Sequence, residues 1–459
     1  MNKLLLILGG LLLGNSLLAQ QELGLHFMRD TWQASYTNPA LIPTTKFNIG
    51  LFGLSNNFLT ENITFDQAIR DGEGGKRILD VNAVIDNLDD NSNIIREQLN
   101  IETLNLGLSF GRFTLGLGHA IRFHGYMDYP KALPQLIWEG NAQFIGQEVQ
   151  FAPEVQLTAY NEFAASLALE LSPMLTVGGR VKFLTGIADA SSSGNDLRLL
   201  TDDDIYQLRL NGNYVVNSSG AIDYDGFDEF TFELNEDSFD EFFSSNTGWA
   251  FDLGLNAKFG RLDVAVSLLD IGSITWDENV TNYQVVTPSE FTGIDVAQDI
   301  LDDSETIGSV IDSLRDQYEV LETSESYSTT LPRRLYLSVG YQFSDVWHFG
   351  GLFYNERYRE QRFSSFALSA NAQLLSWLRL GATYAIRNET FDNLGLNAVV
   401  KLGPVQLFAT TDNIITAFNL TDSNSSHGRI GLNLAFGRRD GNRRRNDIDN
   451  ISDQDAFFN

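Results

Sequence analysis

Five histidines are the first residues to test for chemistry. His26, His119, His124, His348 and His427 are dispersed, and none sits in a spacing such as HExxH that would place two imidazoles on one metal. There is no cysteine, which removes disulfides, thiolate nucleophiles and thiolate ligands. The run Asp223-Tyr224-Asp225-Gly226-Phe227-Asp228-Glu229 could offer carboxylates to calcium. It lacks the full calcium-loop pattern and reads instead as a solvated acidic loop. Asn62-Ile63-Thr64 matches a glycosylation acceptor but carries little meaning alone. No catalytic, cofactor or metal site is expected. Two other stretches stand out. Asn38-Pro39-Ala40 lies in a segment with a second proline at Pro43, and two prolines in five residues cannot make a ladder strand. KALPQLIWEG, residues 131–140, places Leu133, Leu136, Ile137 and Trp138 in what should be a polar loop. Exposed apolar residues need a place to go: inward, onto neighbouring loops, or against a ligand or partner.

The elements that must position these stretches are strands. From Arg334 to Phe343 one parity is Leu335, Leu337, Val339, Tyr341, Phe343 and the other Arg334, Tyr336, Ser338, Gly340, Gln342. The pattern recurs over Leu378–Arg387, Asn393–Leu402 and Ile430–Phe436. Period two makes each strand two-faced. A soluble sandwich alternates too, but with strands of about 5–6 residues. These runs reach the roughly 9–11 residues that a tilted strand needs to cross a bilayer. Their polar parity mixes Gly, Asn and Ser with Arg, Lys and Asp, as a wet lumen allows. The expected fold is an all-β, 14-stranded antiparallel transmembrane β-barrel with its apolar face outward; the alternative is a secreted soluble β-protein.

The chain has 459 residues and a net charge of -29, which argues against nucleic acid, since phosphate needs a basic surface. The basic cluster Arg438, Arg439, Arg443, Arg444, Arg445 reads as a solvated flank of the membrane. Lys3, the apolar run Leu4–Leu13 and Ala19 describe a signal peptide cleaved after Ala19. The organisation expected is signal peptide 1–19, N-terminal plug segment 20–46, barrel 47–438 and polar periplasmic tail 439–459.

Strands are expected at 47–55, 104–110, 113–123, 155–171, 175–184, 249–259 and 262–271, followed by the later group. Short turns at Gly111-Arg112, Ser172-Pro173-Met174, Gly260-Arg261 and Ser344-Asp345 alternate with long connections. An even count with this alternation puts both termini in the periplasm and the acidic insertions outside. Ile205–Val215 and Glu229–Leu234 form a hairpin above the membrane, or raise the count to sixteen. Helical spacing predicts short helices through Ile78, Val81, Val84, Ile85, Leu88 and through Ile307, Val310, Ile311, Leu314, Tyr318. His119 is a misfit on the apolar parity of Phe113, Leu115, Leu117 and Ile121, and predicts either the membrane rim or a bulge. Aromatics near strand ends (Phe110, Phe123, Trp249, Phe259, Trp276, Tyr341, Phe343, Trp347, Trp377, Phe436) read as interfacial girdles.

The segment from Gln20 to Pro43 with its Asn-Pro-Ala, LIWEGNAQFIG at Leu136–Gly146 and LTVGGRVKFLTGIA at Leu175–Ala188 resemble a Bacteroidota outer-membrane family of unknown function. That family is similar in turn to FadL-like barrels, which transport fatty acids and hydrocarbons, and to the secretion barrel PorV. The resemblance implies that the segment around Asn38, Pro39 and Ala40 plugs the lumen. Two functions lead, ahead of a general polar porin, which a segment blocking the lumen disfavours. The first is a passive channel for a hydrophobic or amphipathic small molecule: capture near Leu133, Leu136, Ile137 and Trp138, displacement of the plug, then diffusion through or sideways out of the barrel. The second is a scaffold that binds an outer-membrane or periplasmic protein. Outer-membrane lipid is the expected surroundings in either case. A continuous apolar path would favour the first, a sealed lumen the second.

Overall fold

The computed structural model describes residues 22–71, 77–204, 207–224, 230–232, 244–285, 289–291, 320–359, 361–387, 390–414 and 424–439. The expected signal peptide, the expected helix over 307–318 and the tail beyond Arg439 lie outside the described residues. Fourteen strands form the wall. They are β1 (Thr45–Thr60), β2 (Asn93–Phe110), β3 (Phe113–Tyr129), β4 (Glu154–Ser172), β5 (Leu175–Thr201), β6 (Thr247–Phe259) and β7 (Leu262–Trp276). After them come β8 (Arg333–Gln342), β9 (Trp347–Tyr358), β10 (Gln361–Leu375), β11 (Leu378–Arg387), β12 (Thr390–Leu402), β13 (Val405–Thr411) and β14 (Ser425–Arg438). Each pairs antiparallel with the next, and β14 pairs back onto β1 from Thr45↔Arg438 to Leu59↔Ser425, so the sheet closes.

Closure leaves no edge to satisfy in lipid, and the alternation decides which face meets it. Leu253 is 58% exposed, Phe366 60% and Leu368 67%. On the opposite parity Asn105, Thr114, Asn256, Ser267, Ser369, Asn397 and Asn433 are buried. A belt of exposed Leu, Val and Phe around a polar interior is untenable in water and stable in hydrocarbon. No described helix is long and apolar enough to cross a membrane; the strands do the crossing.

The hairpin turns fall where the sequence places them, at one end of the barrel together with the start of β1 and the end of β14; we call this the turn end. At the loop end the early connections are long, but β9–β10 and β11–β12 are separated by only two residues each, so the length alternation stops halfway. The strands outrun their expected limits. β5 is the extreme case: Leu175–Thr185 pairs with β6, and from Ala188 that side pairs with Leu208–Gly220 while the other side stays on β4 as far as Ser191. Leu208–Gly220 is therefore added to the β5 extension, Phe230–Phe232 pairs with Ile222–Tyr224 as a separate short hairpin, and the wall count stays at fourteen.

Three local expectations are refined. His119 faces outward opposite a bulge: the register shifts between Glu102 and Leu104, and the extra residue Thr103 bonds the His119 Nδ1 through Oγ1 at 2.7 Å. Trp276 is fully buried, not a girdle residue; its Nε1 donates to Thr329 Oγ1 at 2.8 Å, because the added strand Tyr327–Thr330 covers β7 there. Ile78 sits in a short strand, Arg77–Leu79, and the helix covers only Val81–Asn87, started by Asp80 accepting from the Ala83 amide at 3.2 Å.

Candidate functional site

The residues preceding β1 lie inside the lumen. Leu23–Phe27 makes one helical turn, α1, and Trp32–Tyr36 a 3-10 turn. The Leu23 and Gly24 amides both donate to the Asp412 carboxylate at 2.8 Å. A Cβ at Gly24 would stand 2.6 Å from Thr410 Oγ1, so glycine permits the approach. Leu23 and Phe27 pack on Leu269, Tyr336, Leu352 and Tyr354; Leu25 and Met28 pack on Val399 and Phe408. His26 bridges the segment to the wall, 2.8 Å from Thr37 Oγ1 and 2.8 Å from Ser338 Oγ, stacked on Tyr336. Burial presses its pKa down to about 3, so it is neutral.

Polar contacts hold the segment on every side. Arg29 pairs with Asp263, which also meets His348 at 3.4 Å; Asp30 pairs with Arg379. The Gln33 and Asn433 side-chain amides exchange two bonds of 2.9 Å. Arg180 donates to Ser35 O at 2.9 Å and lies 5.0 Å over the Tyr36 ring. The Trp32 ring lies over Gly107 and Gly116, where a Cβ would come within 2.3 and 2.5 Å of it. Glu22 accepts from Ser55 Oγ at 2.8 Å and pairs with Arg429 at 2.6 Å. Burial alone would raise the Glu22 pKa; Arg429 overrides that and holds it at about 2.

Asn38, Pro39 and Ala40 belong to this buried segment. Asn38 Nδ2 donates to Leu255 O and Val266 O, both at 3.1 Å, and its Oδ1 accepts from the Ala40 amide at 2.8 Å. Pro39 touches bare backbone: a Cβ at Gly178 would stand 2.4 Å from its carbonyl carbon. Leu133, Leu136, Ile137 and Trp138 are elsewhere, on the short helix Ala132–Trp138 at the loop end. Leu133 and Leu136 are half-buried there, while Ile137 is 37% and Trp138 51% exposed. The structure does not bring the two predicted sites together.

Above the segment, the lumen contains a charge network that the sequence analysis did not assemble. Arg122 meets Glu162 at 3.0 Å. Lys182 lies 3.0 Å from Asp252 and 3.7 Å from Glu162, and also contacts Asp270. Arg334 Nε donates to Asp270 Oδ2 at 2.8 Å, and Arg180 meets Asp252 at 3.2 Å. Asp270 is held at φ +57, a conformation a non-glycine residue keeps only when its surroundings enforce it. Higher still, Arg96 pairs with Glu356 and sits 4.8 Å over Phe363. Buried charges persist only when paired, and these are. Charged residues on the polar parity were the available signal. Bulky residues on that same parity, Tyr336, Val399 and Phe408, mark where α1 docks.

At the loop end a cavity of about 850 Å³ opens among the ends of β3, β4 and β9, the extension of β5 and the strand Tyr327–Thr330. Among the described residues, no group of His, Asp and Glu is placed to hold a metal ion.

The chain is similar to several solved barrels at low identity. A FadL homologue from Pseudomonas aeruginosa is 11% identical with a TM-score of 0.45, covering 87% of this chain and 93% of that one. The toluene transporter TodX of Pseudomonas putida is 10% identical with a TM-score of 0.42, covering 88% and 94%. The translocator domain of the autotransporter NalP from Neisseria meningitidis is 7% identical with a TM-score of 0.32, covering 85% and 89%. No curated protein matches the chain in sequence. Residues 39–412, from the Pro39 contact through the thirteenth wall strand to the Asp412 that caps α1, match the family described as "Family of unknown function (DUF5723)", and the chain belongs to it.

Proposed function

We propose that the protein is an outer-membrane barrel of a Gram-negative bacterium, shut at rest by residues 20–46 acting as a plug. Both termini face the periplasm, and the barrel works from its outer end as a scaffold or assembly partner. One observation carries this reading: the segment from Leu23 to Leu41 is almost wholly buried and bonded to inward side chains around the barrel. A porin needs a continuous water-filled lumen. Here the inward-facing Arg96, Arg122, Arg180, Lys182, Arg334 and Arg429 are all held in ion pairs. Short turns throughout one end, against mostly longer connections at the other, are what the sidedness of outer-membrane barrels leads one to expect.

A second reading, passage of a hydrophobic or amphipathic small molecule, is favoured by Ile137 and Trp138 exposed at the loop end. The ion-paired lumen opposes a straight path for such cargo, since an apolar molecule would strip polar groups of their partners. Sideways exit through the wall is the route left to it. Planar-bilayer recording tests the closed state. The full chain gives no steady conductance, and deletion of residues 22–43 gives large, steady pores. Porin-like conductance from the full chain overturns the plug. Native mass spectrometry of protein from outer membranes separates the two readings. A bound lipid or hydrocarbon lost in the double variant Ile137→Asp, Trp138→Asp supports transport; a stoichiometric protein partner without a small molecule supports the scaffold.

A further inference from the structure

The loop-end cavity has a volume of about 850 Å³, inside the range of about 300–1,000 Å³ usual for small-molecule sites. Apolar and polar surface share its wall in similar measure, with Pro130, Ala152 and the Tyr327 ring on the apolar side. A wholly apolar or wholly polar occupant would leave half of that wall badly matched. A molecule with an apolar body and one polar end matches both halves. The charges on the wall decide what the polar end is.

Asp128, Glu154 and Asp196 bring three carboxylates to the lining, and Arg359 brings the cation. Glu154 pairs with Arg359, whose other donors go to Gln156 Oε1 and Ser192 O, both at 2.6 Å. Asp196 pairs with Arg198 at 2.8 Å. Asp128 differs from both, because it forms no ion pair among the described residues. Its Oδ1 accepts from Ser92 Oγ at 2.7 Å, and its Oδ2 from Gln361 Nε2 at 3.1 Å and the Tyr126 hydroxyl at 3.5 Å. All of these donors are neutral. They fix the orientation of the carboxylate and leave its charge unmatched. A carboxylate has about four acceptor positions, so Asp128 can take a further donor. It is half-buried, where water screens a charge less than on an open surface.

Tyr327 adds a second feature that favours a cation. Its ring stacks on Trp276 with centroids 6.4 Å apart, and its hydroxyl donates to Asp189 Oδ2 at 3.0 Å. Donation to a carboxylate enriches the ring in electrons, and the face of an aromatic ring attracts cations. Among the described residues no group of His, Asp and Glu converges to hold a metal ion. One unmatched charge beside apolar surface calls instead for an organic cation.

We propose that this cavity binds a monovalent organic cation with an apolar body. The ammonium donates to Asp128, and the body covers the apolar part of the wall beside Tyr327. No bond is made or broken. The inference rests on neither reading of the lumen.

Calorimetry on the full chain in lipid nanodiscs, with empty discs subtracted, compares three probes of one carbon frame: phenylbutylamine, phenylbutanol and phenylbutyrate. The amine should bind saturably and about tenfold tighter than the alcohol, the margin of a charged over a neutral hydrogen bond; the acid should bind more weakly than either. Asp128→Asn should bring the amine down to the level of the alcohol and leave the alcohol unchanged, a pattern that misfolding does not produce. Asn91→Arg supplies a cation from an exposed position on the same wall and should also remove the advantage of the amine. Asp204→Asn, at an exposed carboxylate outside the lining, should change nothing. All variants should keep the heat-modifiable migration of a folded barrel on gels. Equal binding of amine and alcohol overturns the proposal, as does absence of amine binding, or a loss in Asp204→Asn as large as that in Asp128→Asn.

Discussion

Glu22→Gln removes the charge from one anchor of the N-terminal segment and keeps its shape. Glu22 lies 2.6 Å from Arg429 Nη2 and 3.0 Å from its Nε. Its carboxyl is held at about 2 instead of its ordinary 4.5. At about 1.4 kcal/mol per pKa unit, this linkage places roughly 3 kcal/mol of docking free energy on the ionised carboxylate; its partial exposure reduces that to about 2–3 kcal/mol. The folded pKa is depressed, so the contribution is complete above pH 4.5 and disappears as pH falls towards 2. Arg429 keeps Glu102 as a partner, so the wall retains its own pairing and the loss falls on the segment. Hydrogen exchange of the Leu23–Tyr36 amides reads the docking equilibrium. At pH 7 the variant should exchange roughly 30- to 100-fold faster there than wild type, since about 1.4 kcal/mol is one decade. The wall amides should be unchanged. Near pH 2.5 the difference should shrink to a few-fold. Equal exchange at pH 7, or a difference that persists undiminished at low pH, refutes the assignment of Glu22 as a charged anchor.

Three further outcomes follow from the same geometry. His26 is kept neutral by burial, with its pKa near 3. Undocking lets it bind a proton, so docking should weaken by up to about 1.4 kcal/mol per pH unit from 6.5 downward, and His26→Gln should flatten that slope in the same exchange experiment. Gly178→Val drives side-chain atoms into the Pro39 carbonyl, which a Cβ alone would approach to 2.4 Å; the segment should undock while the barrel stays folded, seen as protease cleavage within residues 22–43 and as new bilayer conductance. Leu368 stands mid-strand on β10 and is 67% exposed to the surroundings, so Leu368→Arg should destabilise the barrel in lipid vesicles by about 2–4 kcal/mol in denaturant titration, whereas the same change in a water-facing position would be near neutral.

The barrel was legible because its signal is local and repeated. Leu335, Leu337, Val339 and Tyr341 alternate with Tyr336, Ser338 and Gly340 within ten residues, and the same rule recurs down the chain. Where the local rule met a second layer of structure, it misplaced residues. Trp276 looks like any strand-end aromatic until Tyr327–Thr330 covers it. Leu175–Thr201 reads as one hairpin arm plus a loop, because nothing in its residues announces that it changes partner near Gly186. His119 was readable as a misfit, but the bulge that accommodates it lies on the neighbouring strand at Thr103. Asn38-Pro39-Ala40 was legible as an irregular segment, since its prolines forbid a ladder strand. The glycines it rests on, Gly178 and Gly254, were visible only as small residues on the polar parity.

The amino-acid sequence by itself determined which side of each strand faces lipid and where the short turns fall, and it narrowed the count to fourteen or sixteen strands. Those properties follow from two solvents acting on neighbouring side chains. Only the tertiary structure decided what the interior holds. Glu22 meets Arg429 across 407 positions of chain and Arg96 meets Glu356 across 260. Such partners are chosen by barrel closure and strand register, which bring opposite walls to within the length of two side chains. No local pattern of residues encodes that distance.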